Sequence, residues 1–238
     1  MKNSNRGKLI LFPVGIGNKN LSTCLPDYNK ELLNSCNIFI VENLREARRF
    51  LVSFGYKHSI DDTTFHLLNE HTKEHEIGDY LTDIEQGKNI GLLSDAGIPC
   101  VADPGAAIVN IAQSRQIEVI PLVGPSSLLL ALMGSGFNGQ NFAFRGYLPV
   151  ENRERQQKIK ELETLVYKEN QTQIFIEAPY RNNQLLKAFL ETCNENTKIC
   201  IAKNILLDEQ YIITKTVREW KKNLPELHKQ NTVFLIYK

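Results

Sequence analysis

The stretch NIGLLSDAGIPCVADPG, residues 89–105, runs from an apolar segment into acids, prolines and small residues. NIGLLS (89–94) has the unbroken apolar character of a strand buried on both faces. PGAAIVNIAQSR (104–115) opens on proline, which suits the first turn of a helix. Asp95 and Asp103 therefore stand at the mouth of a core strand. Upstream, KLILFP (8–13) and NIFIVE (37–42) read as further buried strands. LSTCLPDYNKELLNSC (21–36), LREARRFLVSF (44–54) and HTKEHEIGDYLTDIEQG (71–87) read as helices, the last one closed by a C-cap glycine. Downstream come IEVIPLV (117–123) as a strand and SSLLLALMGSG (126–136) as a small apolar helix. Such alternation of strands and helices predicts a parallel sheet covered on both faces.

The second half differs. ENRERQQKIKELETLVYKEN (151–170) is a highly charged helix with an apolar stripe at Ile159, Leu162 and Leu165/Val166. QIFIEAPYR (173–181) reads as strand plus turn, and NNQLLKAFLETC (182–193) as helix. KICIAKN, YIITKTV and NTVFLIYK are strands, and the successive β runs predict a mixed sheet. The expected architecture is α/β with two domains, 1–121 carrying the parallel sheet and 122–238 the mixed sheet.

The chain has 238 residues, 42% hydrophobic and 23% charged, with a net charge of +1. These are ordinary globular values that supply no overall field toward nucleic acid or membrane. The uncharged run 119–144 is broken by Pro121, Pro125 and four glycines, which argues against a membrane span. Five scattered cysteines with no CxxC pairing read as reduced thiols of a cytoplasmic protein. Glu70, His71, Glu74 and His75 carry the wrong order for an HExxH zinc site and read as a solvated helix start, so no metal is expected.

In open α/β sheets, ligands bind at the carboxyl ends of strands. Here those ends read GIGN (15–18), EN (42–43), SDAGIP (94–99), GPSS (124–127) and EAPYR (177–181). Each has a plain structural reading. Gly15 and Gly17 make a tight turn or let a ligand approach the backbone. Ser126 and Ser127 cap a helix or bind a ligand, and Asp103 caps the 104–115 helix. Basic residues cluster at Arg45, Arg48 and Arg49, at 145–160 and at 215–222. They form solvated helix faces or meet RNA phosphates.

Taken in order, FPVGIGN, VENLR, LLNEHTKE, GLLSDAGIPCVADPG, PLVGPSSLLLALMGSGF, FRGYLP and FIEAPYR resemble the tetrapyrrole methylase superfamily. The nearest branch is that of the bacterial small-subunit ribosomal RNA cytidine 2′-O-methyltransferases. The resemblance runs from about residue 8 to 181, and SDAG-x-P-x-x-x-DPG is its most specific part. It implies a two-domain fold with S-adenosylmethionine in the cleft between the domains, and a homodimer. The implied cofactor contacts are Asp95, Ala96, Gly97, Ile98, Val101, Ala102, Asp103, Ser126, Ser127, Glu177 and Ala178. Gly15, Ile16, Gly17, Asn18, Arg45 and Arg181 fall on the substrate side. A ribose hydroxyl must lose a proton before it attacks, so the strand-end acids Glu42, Asp95, Asp103 and Glu177 are candidate bases, with Glu42, Asp95 and Glu177 taken as the catalytic set. The implied partner is ribosomal RNA or the small ribosomal subunit, with no membrane involved. The alternatives are a tetrapyrrole or other small substrate, and a non-catalytic binder of S-adenosylmethionine or RNA. The chain departs from the branch at PVGIGN for TPIGN, at VENLR for AEDTR and at AKNILLDEQ for ARELTK. Its last strand ends at Lys238, without the branch's small C-terminal extension.

Overall fold

The computed structural model describes residues 6–17, 20–69 and 72–238. The chain divides into two compact units, Met1–Ser126 and Ser127–Lys238.

In the first unit, β1 (Leu9–Phe12) leads to α1 (Asp27–Leu33), β2 (Cys36–Val41), α2 (Leu44–Phe54) and β3 (Thr64–Leu67). A short α3 (Glu74–Ile77) continues as a 3-10 helix over Gly78–Gln86. Then come β4 (Asn89–Leu93), α4 (Gly105–Ser114) and β5 (Val119–Pro121). The strands form a five-stranded sheet in the order β3-β2-β4-β1-β5. Every pairing in it is parallel. Its two faces are covered by separate apolar clusters. Ile38, Ile40, Ile90 and Leu92 pack with Leu81, Ile84 and Ile108. Ile10, Phe12 and Phe39 pack with Leu33, Phe50 and Leu51. Gly91 lies where the rings cross: a Cβ there would come within 2.5 Å of Phe39 and 3.1 Å of Phe12.

Three details differ from the sequence reading. The helix expected over 21–36 is split into a 3-10 turn, Leu21–Thr23, and α1. Pro26 is the N-cap of α1, in extended conformation, so the break falls where its missing N–H costs nothing. The helix expected over 71–87 is an α turn followed by a 3-10 run, and Gly87 closes it in the left-handed conformation at φ 83°. Glu70 and His71 lie outside the described residues. β3 was not anticipated, because TFHL is short and half-exposed along its length.

In the second unit, α5 (Ser127–Ser135) precedes β6 (Phe142–Phe144), α6 (Asn152–Glu169), β7 (Thr172–Ile176) and α7 (Asn182–Thr192). β8 (Lys198–Lys203), β9 (Tyr211–Thr216), α8 (Val217–Trp220) and β10 (Thr232–Tyr237) complete it. The sheet order is β6-β7-β10-β8-β9. β6 pairs parallel with β7, and the other pairings are antiparallel, which makes the sheet mixed. Ile159, Leu162 and Val166 of α6 are buried with Phe175, Phe189 and Phe234, so the apolar stripe read from sequence is the core face. Trp220 is fully buried and donates its indole N–H to the Ile199 carbonyl at 2.9 Å. α8 is held by a capping box between Thr216 and Glu219.

Candidate active site

β4 is inserted between β1 and β2, so its carboxyl end is flanked by the ends of both. Three loops from the sequence reading meet there. The Val14 N–H donates to the Gly97 carbonyl at 2.9 Å, which ties the 13–17 turn to the 94–105 loop. Buried Ser94 donates its hydroxyl to the same carbonyl at 3.0 Å. The Asp95 N–H donates to Glu42 Oε1 at 3.2 Å, and the Asn43 backbone N–H is bonded to the Asp95 carboxylate. The ends of β2 and β4 thus clasp each other through backbone and acid.

The 94–105 loop bends sharply. Gly97, Cys100 and Ala102 all have positive φ, at 73°, 69° and 64°. For Cys100 and Ala102 this is a costly conformation, on the order of 1–2 kcal/mol per residue. Asp103 holds it. Its carboxylate accepts the Cys100 N–H at 2.8 and 2.9 Å and the Gly105 N–H at 2.7 Å. The N-cap of α4 is Pro104 rather than the expected Asp103, which sits one residue earlier and anchors the turn through the Cys100 and Gly105 N–H groups. Gly97 is required both for its φ and for space, since a Cβ would stand 3.1 Å from the Pro125 carbonyl and 3.3 Å from Ile16. That contact brings Pro125 beside the loop. The outward edge consists of small or short side chains, with Asp95, Ala96, Val101 and Ala102 exposed and Ile98 half-buried.

The electrostatics are one-sided. Burial raises the half-buried Glu42 carboxyl to about 7, opposed by the Asp95 N–H and reinforced by the charges of Asp103 and Asp95. Loss of solvent also raises Asp95, with Glu46 and Asp103 adding to it and the Asn43 N–H opposing. Asp103 is raised by burial against the pull of its two N–H donors. Among the described residues, none of these acids forms an ion pair. Burial and Asp103 push the Cys100 thiol to about 11, so it is a neutral thiol near pH 7. A hollow beside these groups is lined by Val41, Glu42, Leu68, Leu93, Pro99 and Asp103 among others.

Asn43 stands where the AEDTR pattern of the resembling branch has an acid. It is the N-cap of α2, accepting the Arg45 and Glu46 N–H groups at 2.9 and 3.3 Å. Asparagine caps about as well as aspartate, so the cap survives while one negative charge is withdrawn from the acid cluster. Arg45 itself is exposed. Gly15 and Ile16 are half-buried, Gly17 is exposed with φ 100°, and Asn18 lies outside the described residues.

In the second unit, Glu177 is placed differently. Its side chain is 1% exposed and pairs with Arg181. Glu177 Oε1 accepts Arg181 Nε at 3.0 Å, Arg181 Nη2 at 2.6 Å and the Ala178 N–H at 2.7 Å. The Arg181 pKa is raised, chiefly by that hydrogen bond. The sequence reading missed the pairing, although Glu and Arg four residues apart across a turn are the available signal.

The family profile described as Tetrapyrrole (Corrin/Porphyrin) Methylases matches residues 8–221. The chain belongs to this family. Its members include methyltransferases, and this chain is a methyltransferase. The chain is 33% identical over 216 residues to "Ribosomal RNA small subunit methyltransferase I" of Bacillus subtilis, covering 91% of this chain and 70% of that one. It is 29% identical over 234 residues to the protein of the same name from Buchnera aphidicola, covering 97% and 78%. The crystal structure of the methyltransferase CobJ shares the fold, with a TM-score of 0.63 at 16% identity over 98% of this chain and 94% of that one.

Proposed function

We propose that this methylase transfers a methyl group from S-adenosylmethionine to the 2′-hydroxyl of a cytidine in small-subunit ribosomal RNA. The observation that carries the reading is the cluster of Glu42, Asp95 and Asp103, with no ion pair among the described residues, around a strained loop of small residues. The names of the relatives supply the substrate class.

When bound, S-adenosylmethionine supplies a methyl group carried on a cationic sulfur. The chain's residues fit such a ligand. Uncompensated carboxylates favour a cation, and Ala96, Gly97 and Ala102 let it lie close to the backbone. The same acids lose part of their hold once the sulfur is neutral, which favours product release. Asp103 keeps the loop in shape, and Asp95 faces the positive charge. Glu42 titrates near neutrality and is the group suited to take the ribose proton, as a general base works best with a pKa close to the working pH. Glu177, with one oxygen already accepting three N–H groups, acts as a positioning residue for Ala178 and Arg181. Much of the rate comes from alignment of oxygen, methyl carbon and sulfur. The family likeness extends the proposed cofactor contacts to Ile98, Val101, Ser126, Ser127 and Ala178, and the substrate side to Gly15–Asn18 and Arg45.

Leu129 and Met133, one turn apart on α5, are 47% and 79% exposed, and their apolar surface suits a second copy of the chain. No helix among the described residues is long and apolar enough to cross a membrane. A ribosomal substrate and cysteines that form no disulfide among the described residues suit work in the cytoplasm. The test is incorporation of labelled methyl into small subunits from a strain lacking the corresponding enzyme. The label should be recovered at a cytidine 2′-oxygen. Label on a small tetrapyrrole only, or no label despite donor binding, contradicts the reading.

A further inference from the structure

The loops after β6 and β7 carry an exposed aromatic patch. Tyr147 and Tyr180 are 61% and 62% exposed, an unusual outlay of aromatic surface for one corner of a unit. Among the described residues neither hydroxyl makes a hydrogen bond. The Arg181 guanidinium stands 5.5 Å from the Tyr180 ring centre. Arg181 cannot swing away, because buried Glu177 grips two of its nitrogens. The two loops are joined by the Ile176 N–H donating to the Gly146 carbonyl at 3.1 Å.

A third segment borders the patch. The Lys229 N–H donates to the Pro179 carbonyl at 2.9 Å, with Lys229 in the left-handed region at φ 59°. Fully buried Asn182 donates to the Gln230 carbonyl at 2.6 Å, and the Leu227 N–H donates to Asn183 at 3.1 Å. These bonds fix exposed His228 and Lys229 beside Tyr180. The nearby acids are occupied: Glu177 holds Arg181, and Glu226 accepts from Asn183 and from the His228 N–H. Lys229 forms no ion pair among the described residues.

Exposed tyrosine rings beside a lysine with no ion pair among the described residues match the chemistry of single-stranded nucleic acid, where bases stack on aromatic rings and phosphates meet lysine. We propose that Tyr147 and Tyr180 are stacking platforms for unpaired bases of the RNA substrate, and that Lys229 meets the backbone phosphate between them. The inference rests on the RNA reading above and assigns the residues that recognise the strand.

The test compares the unaltered protein with Tyr147→Ala, Tyr180→Ala, both Tyr→Phe variants and Lys229→Ala. The probe is undermethylated small ribosomal subunits, and S-adenosylmethionine affinity is measured in parallel. Tyr147→Ala and Tyr180→Ala should each weaken subunit binding, or raise KM for subunits, by roughly 5- to 100-fold, the range for loss of one stacked base. The phenylalanine variants should stay within about threefold of the unaltered protein, and donor affinity should not move. Lys229→Ala should flatten the salt dependence of subunit binding by about one phosphate contact. Alanine variants that bind subunits normally, or that change only the oligomeric state, overturn the inference and leave the RNA reading intact. An unaltered protein that binds donor but never methylates subunits overturns the RNA reading, and the platform with it.

Discussion

Each unit places an acid at the end of a buried strand, and the two outcomes are opposite. In the second unit, Glu177 follows β7 and is neutralised at once by Arg181. In the first unit, Glu42 follows β2, and Asp95 and Asp103 follow β4, with backbone N–H groups as their only partners among the described residues. A paired acid is structure, because its charge is already spent. An acid cluster without a base is a standing cost that folding alone does not repay, and a cationic ligand does. The comparison separates an anchor from a binding site, although a sequence shows only Glu or Asp in each place.

The largest effect should come from breaking the anchor. Arg181→Met leaves a buried carboxylate alone and should lower the unfolding free energy by about 2–3 kcal/mol, read from urea titration. If the loss is below about 0.5 kcal/mol, Glu177 is not anchored as described. Next comes the brace of the strained turn. Asp103→Ala removes the acceptor for the Cys100 and Gly105 N–H groups and should cost about 2 kcal/mol, with donor affinity falling at least about tenfold.

Glu42 sharpens the contrast through pH. Its carboxyl titrates near 4.5 when free and near 7 in the fold. Between those values the fold keeps a proton that the unfolded chain has lost, so stability falls as pH rises from about 5 to 7.5. Glu42→Gln carries no such charge. It should match the unaltered protein near pH 5 and exceed it by about 1–2 kcal/mol near pH 8, followed by thermal unfolding at both values. A constant difference across that range would show that Glu42 is not raised. The smallest effect concerns strain alone: Ala102→Gly relieves a left-handed residue and should gain about 0.5 kcal/mol. A loss instead would mean that the turn is not strained at Ala102.

Much of this was legible from the chain. The helix read over 44–54 has those bounds, and the apolar runs at 8–13, 37–42 and 89–94 are adjacent parallel strands, because a strand buried on both faces has no polar face to confuse its pattern. TFHL was missed because an edge strand half in water lacks that signature. The split of 21–36 turned on Pro26, whose preference for a helix start outweighed the apolar spacing across it. At the site, SDAG-x-P-x-x-x-DPG marked the loop, and strand ends marked Glu42 and Glu177. Their separate fates depend on which side chains the fold brings near, and Arg181 beside Glu177 was not weighed as a pair. Tyr147 and Tyr180 lie within FRGYLP and EAPYR, but their grouping with Lys229 is not legible, because 80 or so residues separate the first from the last and only a folded unit joins them.

The central claim is that the uncompensated acids of the first unit hold a cationic methyl donor. Calorimetric titration of S-adenosylmethionine near pH 8 tests it most directly, comparing the unaltered protein with a Glu42→Gln, Asp95→Asn double variant. The account predicts saturable binding that the double variant weakens at least about tenfold, with a smaller loss for the neutral-sulfur product. Equal affinities in the two proteins, or no binding by the unaltered chain, would contradict it.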